Sequence, residues 1–235
     1  MNRRAALFSG QRIGLVVNQA DSLNSHWVEL ACALRDLGTE LIIFCCPASF
    51  GQNFTDSGFR VITYPLSRGR RNPFAEFRSM LALSRFYRDH PLDLVHHATT
   101  RTVLYGTRAA RKRGVPAVVN QISGHDDVYR ADGFFAAMKR GTRNLLYRIF
   151  MRHPAIRVIF QSSGARDTFV RRRLVSAVDA VVIRGVQTRA AAFSVEDLVE
   201  HTLRVYATLL HEQHRALPDM LPGEAADELS EEVAA

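Results

Sequence analysis

The stretch Arg12–Cys46, RIGLVVNQADSLNSHWVELACALRDLGTELIIFCC, decides the fold. It opens on Arg12–Asn18, a β-rich apolar run without alternation, the pattern of a strand buried on both faces. A polar turn, Gln19–Ser25, follows. Trp27, Leu30, Ala31, Leu34 and Leu37 then recur at helical spacing, and Gly38 stands where a C-terminal cap belongs. Glu40–Cys46 is a second buried strand. Strand, helix and strand in about 35 residues make a right-handed crossover unit, and such units build parallel sheets.

Working outward, the same rhythm repeats. Arg60–Tyr64, Leu92–His96, Pro116–Asn120, Arg157–Gln161 and Ala180–Ile183 read as strands. Helices are predicted over Pro73–Arg88, Thr102–Arg113 (closed by Gly114), Phe134–Arg152 and Gly164–Arg173. The expected fold is α/β: one doubly wound, mostly parallel, Rossmann-like sheet of about seven strands with helices on both faces. A last helix starts at Ser194, where Ser194 and Asp197 have the spacing of a capping box. Val195, Leu198, Val199, Thr202, Leu203, Tyr206, Leu209 and Leu210 give that helix a wide apolar stripe, which must dock on something. The division expected is residues 1–186 for the sheet domain, 187–215 for a bridge and the returning helix, and 216–235 for an acidic tail that reads as disordered.

The composition, 47% hydrophobic and 23% charged, is that of a globular protein able to bury a full core. Cys32, Cys45 and Cys46 read as buried free thiols in a reducing compartment. No Cys-x-x-Cys pair points to a metal, and His211-x-x-His214 reads as a solvated helix end. With no secretory leader and no apolar run of about 18 residues, the expected location is cytoplasmic, or peripheral on the inner membrane face. Ala216 onward holds six acidic residues and no Lys or Arg, so a net charge of +8 leaves +14 on the remainder. Such a field favours anionic partners: diphosphates, an anionic membrane surface or nucleic acid. No helix-turn-helix, zinc finger or RNA-stacking motif supports the last of these, so nucleic acid is an unlikely partner.

In doubly wound folds, ligands sit at the carboxyl ends of the strands. The first end offers Asn18, Asp21 and His26, without the Gly-x-Gly-x-x-Gly of a dinucleotide fingerprint. The fourth offers His96, His97 and Thr99. Strand alternation turns one histidine into the core and leaves the other to face the crevice. The fifth offers Asn120, Ser123, His125 and Asp126, and a His oriented by a carboxylate serves as a general base. The segment with Arg70, Arg71, Phe74, Phe77 and Arg78 sets basic residues beside an apolar helix face, which suits anionic lipid headgroups.

Several stretches together resemble a known family: RIGLVVN, Ser25-His26, HWVELACALRDLG, GFRVITYPLSRGRRNPFAEFRSMLAL, DLVHHATTRTVLYGTRAARKRGVPAVVNQISG, RVIFQSSGARDTFV and VVIRGV. Over Arg12–Val186 the chain resembles the N-terminal, acceptor domain of family-4 retaining glycosyltransferases of the two-Rossmann GT-B fold, in the bacterial branch that extends polyprenyl-diphosphate-linked sugars. FSVEDLVEHTLRVYATLL resembles the last helix of the same enzymes, which crosses back onto the acceptor domain. The donor domain that normally lies between these parts is missing here. The resemblance therefore implies binding of a lipid-linked sugar acceptor in surface polysaccharide or glycan synthesis, with a donor domain supplied in trans.

It implies no cofactor; a nucleotide sugar would be a substrate. Asn18, Asp21, His26, His97, Thr99, Asn120 and Ser123 would line the crevice. His125, with Asp126, would take the acceptor's proton. Two departures stand out: Trp27 replaces an arginine after Ser25-His26, and His125-Asp126-Asp127-Val128-Tyr129 replaces a glycine-bearing loop. The alternative is a non-catalytic, degenerate relative that binds a partner enzyme or a membrane surface.

Overall fold

The computed structural model describes residues 3–17, 26–45, 54–63, 73–122, 134–184 and 194–216; of residues 73–77, 134–136, 139 and 216 it describes the backbone alone. The sheet has strands β1 (Arg12–Val17), β2 (Glu40–Cys45), β3 (Arg60–Thr63), β4 (Leu94–Ala98), β5 (Ala117–Ile122), β6 (Ile156–Phe160) and β7 (Ala180–Val182). The helices are α1 (Arg3–Phe8), α2 (His26–Asp36), α3 (Pro73–Asp89), α4 (Thr100–Arg113), α5 (Phe134–Phe150), α6 (Ser163–Arg171) and α7 (Val195–Ala216). The seven strands run in the order β3-β2-β1-β4-β5-β6-β7, and every pairing is parallel. Order reverses between β1 and β4, where Ile13 faces Leu94 and Val16 faces His97. That reversal is the topological switch point, where such sheets open a crevice.

Two apolar cores flank the sheet, because strands buried on both faces need a helix layer on each side. On one face Trp27, Leu30 and Leu34 of α2 and Phe8 of α1 pack with Leu198, Leu203, Tyr206, Leu209 and Leu210 of α7 over Ile13, Leu15 and Ile43. On the other, Leu83, Phe86, Val103, Ala110, Tyr147 and Phe169, from α3 to α6, cover Val16, Val95, Val118 and Val158. The stripe on α7 thus docks on its own sheet. Its capping box closes reciprocally: Asp197 N–H donates to Ser194 Oγ at 3.1 Å, and Ser194 N–H donates to Asp197 Oδ2 at 3.3 Å. Ion pairs of Arg4 with Glu200 and of Arg157 with Glu212 fix α7 at either end. β7 ends at Val182 and α7 begins at Val195, so no second domain lies between them.

The fourth strand lies two residues later than the Leu92–His96 expected from sequence. Asp93 stands just ahead of β4 and ties it to β1: its Oδ2 accepts Arg12 N–H at 2.8 Å, and its own N–H donates to Arg12 O at 2.8 Å.

Candidate functional site at the β1/β4 switch point

The carboxyl ends of β1, β4 and β5 lie side by side, and α2 and α4 start from the same end of the sheet. Thr99 joins β4 to α4 with φ 110° and ψ 149°, a backbone region that L-residues rarely adopt and that costs on the order of 1–3 kcal/mol. Its carbonyl is held from inside, accepting Val103 N–H at 2.8 Å and Thr102 Oγ1–H at 3.0 Å. Thr99 makes no side-chain capping hydrogen bond to α4, and the first turn of the helix holds no acid. A helix end of this kind, with its positive dipole end and an acid-free first turn, favours an anion.

Behind this mouth the structure encloses both histidines of β4, where one was expected to face the crevice. His97, which the resemblance placed in the lining, is fully buried on the α3/α4 side. Its Nδ1 lies 2.8 Å from Asn120 Oδ1 and its Nε2 lies 2.7 Å from the Tyr87 hydroxyl. Since Oδ1 only accepts, Nδ1 carries the proton and Nε2 takes the tyrosine's. Asn120 is also fully buried, and its Nδ2 donates to Thr107 Oγ1 at 2.9 Å. His97 and Asn120 therefore do not line an open surface; they clamp α3, α4, β4 and β5 together. The physical reason is that β4 is central and covered on both faces, so alternation exchanges one helix layer for the other and never reaches solvent.

His96 faces the other layer. Its Nδ1 lies 2.6 Å from the Tyr206 hydroxyl of α7. Its ring meets Trp27 edge-on, with centroids 4.9 Å apart, and Trp27 is 4.9 Å from His26 at the start of α2. A ladder of rings thus runs from α7 under the switch point to His26. His26 Nε2, Trp27 Nε1 and His96 Nε2 have no hydrogen-bond partner among the described residues.

All three histidines are held neutral. Desolvation lowers His26 to about 4 and His96 well below its ordinary value. It also lowers His97 to about 4, against an opposing effect of the Asn120 hydrogen bond. Unfolding frees each to bind a proton near pH 6.5. Between roughly pH 6.5 and 4 the unfolded chain therefore binds more protons, and stability falls as pH falls through that window. At His26 and His97 a shift of this size is worth on the order of 3 kcal/mol each. Urea unfolding at pH 7.5, 5.5 and 4.5 is expected to give midpoints that drop steeply below pH 6.5 and stay nearly flat above it; a flat profile would contradict these environments.

Asn18, Asp21, Ser123, His125 and Asp126 lie outside the described residues, as do Arg70 and Arg71. Phe74 and Phe77 lie on the α3 backbone, and Arg78 is exposed on the same helix. No cluster of His, Cys, Asp or Glu fit to hold a metal occurs among the described residues. Nor is any described helix long and apolar enough to cross a membrane. A groove of about 760 Å³ lined by Arg111, Arg152, His153 and Asp179 lies at the amino ends of β5 and β6, away from the switch point. Sequence reading missed Tyr87, Gly106, Thr107 and Tyr206. A mid-helix glycine is the one local signal among them, and Gly106 faces His97 because a side chain there has no room.

The family model described as a glycosyl transferase 4-like domain matches residues 23–185, most of the sheet and its crossovers. The chain belongs to this family. Among curated proteins, the 4-like domain is 26% identical over 138 residues to the N,N'-diacetylbacillosaminyl-diphospho-undecaprenol alpha-1,3-N-acetylgalactosaminyltransferase of Campylobacter jejuni. That match covers 59% of this chain and 37% of the relative.

Solved structures agree on the fold. A glycosyltransferase from Rickettsia africae gives a TM-score of 0.54 at 16% identity over 84% of this chain and 49% of that one. MurG from Acinetobacter baumannii gives 0.50 at 16% identity over 78% and 47%. A sucrose-phosphate synthase structure from Thermosynechococcus elongatus, designated with the residue numbers 27–220 and 406–426, gives 0.56 at 14% identity over 85% and 99%. The 4-like domain thus spans about half or less of the curated relative and of the first two structures.

Proposed function

We propose that this chain is the acceptor-side half of a glycosyltransferase. It binds a polyprenyl-diphosphate-linked sugar at the carboxyl ends of β1, β4 and β5, and a donor-side half supplied in trans completes the site. The observation that carries this reading is the amino end of α4 at the switch point, where the strained Thr99 makes no side-chain cap and the first turn is free of acid. It suits a diphosphate. Membership of the 4-like family supports a sugar-transfer context, and the Campylobacter relative is named for transfer to a diphospho-undecaprenol sugar.

In this proposal Asn18, Asp21, Thr99 and Ser123 line the crevice, on or next to segments that leave β1, β4 and β5, with His26 buried behind them. The acceptor hydroxyl attacks the anomeric carbon of the donor. The bond from that carbon to the nucleotide diphosphate breaks, and the hydroxyl proton passes to His125, oriented by Asp126. The described histidines are poorly suited to that step, since burial makes His26 and His97 weak bases. Retention of configuration follows only from the family analogy. The chain works in the cytoplasm, peripheral to the inner membrane face.

A second reading, a non-catalytic module for a partner enzyme, is favoured by one feature: β7 and α7 are joined without an intervening domain. Turnover separates the two. Purified chain is offered a panel of nucleotide sugars and a short-chain lipid-diphosphate sugar, alone and with co-expressed neighbouring proteins. Transfer that needs a partner sustains the first reading, and no transfer in any combination by folded protein leaves the second.

A further inference from the structure

Helix α5 carries a second row of apolar side chains opposite the face that Leu146, Tyr147 and Phe150 turn to the core. Tyr147 is fully buried against the sheet, yet Met138, Leu145 and Ile149 are 55%, 55% and 48% exposed. With 3.6 residues per turn these three fall within roughly 40° of one another. Gly141 and Thr142, also exposed, share their side of the helix, and no charged residue falls inside the sector. An ordinary surface helix turns its polar face outward.

Helices α4 and α5 carry one sign of charge. Helix α4, packed beside α5, carries Arg101, Arg108, Arg111, Lys112 and Arg113 and no acid; α5 carries Lys139, Arg140, Arg143 and Arg148 and no acid. Arg108, Arg111, Lys112, Arg113 and Arg148 are exposed.

We propose that the outward face of α5 docks on an anionic lipid bilayer, with Met138, Leu145 and Ile149 entering the acyl boundary and the exposed cations of α4 and α5 meeting the headgroup phosphates. The charge selects the occupant. A second copy of this chain would set cations against cations, whereas a phosphate surface neutralises them. The single row of apolar side chains, flanked by cations, has the form of an interfacial helix. The choice of a bilayer over an acidic protein face rests on the lipid-linked acceptor reading. The surface differs from the Arg70–Arg78 segment expected from sequence.

The test is co-sedimentation of the full chain with vesicles of mixed phosphatidylglycerol and phosphatidylcholine, against pure phosphatidylcholine, across a salt series. Wild type is expected to bind the anionic vesicles and to release as salt rises. Leu145→Asp with Ile149→Asp is expected to weaken binding about tenfold or more. The serine pair, Leu145→Ser with Ile149→Ser, leaves the charge untouched and is expected to weaken it severalfold. Val178→Asp, at a position 80% exposed in the turn before β7, should leave it unchanged. Emission from buried Trp27 reports that each variant is folded.

Wild-type binding by both double variants, or no binding of anionic vesicles at low salt, overturns the proposal. The vesicles contain no sugar lipid, and acceptor binding is measured separately in detergent. Failure here with acceptor binding intact removes only the α5 surface; vesicle binding that tracks α5 without acceptor binding sustains the surface and removes the acceptor reading.

Discussion

A chain cut after Phe193 is expected to lose its fixed tertiary structure. The cut removes α7, of which Leu198, Val199, Leu203, Val205, Tyr206, Leu209 and Leu210 are buried. At about 1.5–3 kcal/mol per large apolar side chain, that burial is on the order of 10 kcal/mol or more. Ordering the helix offsets part of it. But the cut also uncovers Trp27, Leu30, Ile13 and Leu15 beneath α7 and leaves His96 Nδ1 without the Tyr206 hydroxyl. A domain's net stability is only about 5–15 kcal/mol, so the deficit unfolds it. The check is simple because Trp27 is the only tryptophan and is buried. Its emission should shift to the red and its near-ultraviolet dichroism should vanish in the truncated chain. Native-like emission and a cooperative melt would show instead that α7 is dispensable.

The second large effect is Gly106→Ala. An exposed glycine inside a helix normally gains about 1 kcal/mol on replacement by alanine. At Gly106 the sign reverses, because the new Cβ would lie 2.3 Å from His97 Nε2 and 2.4 Å from its Cδ2. The imidazole cannot step aside cheaply, since Asn120 and Tyr87 hold its two nitrogens. Overpacking costs about 1–3 kcal/mol, and a buried hydrogen bond left unmade costs about 1–3 kcal/mol more. A net loss of about 1–5 kcal/mol is expected after the helix-propensity gain is subtracted. Gly141→Ala on α5, where a Cβ would meet nothing within 4 Å, is the control and should gain about 0.5–1 kcal/mol. Urea midpoints for the pair decide it; equal shifts of the same sign would contradict the His97 clamp.

Period and length place the seven strands and the parallel crossovers, because a strand buried on both faces leaves an unbroken apolar run. The Ser194–Asp197 cap and the glycine ends at Gly38 and Gly114 are local, and they form as read: φ is 82° at Gly38 and 70° at Gly114. The entry to β4 is not local. The side chain of Asp93, just ahead of β4, bonds Arg12, a partner far away in sequence. The fate of His96 and His97 is not local either. Alternation gives the two rings opposite faces, but the helices that cover each face are set by tertiary packing. So the sequence shows two adjacent histidines, while the ring ladder to Tyr206 and the clamp on Asn120 appear only once α7 and α4 are docked. The site is legible to the level of strand ends, because topology fixes those; the side chains that back it are not.

The account turns on whether this domain holds a lipid-diphosphate sugar at the β1/β4 switch point. The most direct measurement is titration of the purified full chain in detergent with a short-chain prenyl-diphosphate sugar, followed by calorimetry, with the prenyl alcohol lacking the diphosphate as comparison. The account predicts saturable one-to-one binding that fails for the alcohol, because the amino end of α4 recognises the diphosphate. No saturable binding by a chain whose Trp27 emission is native would contradict it.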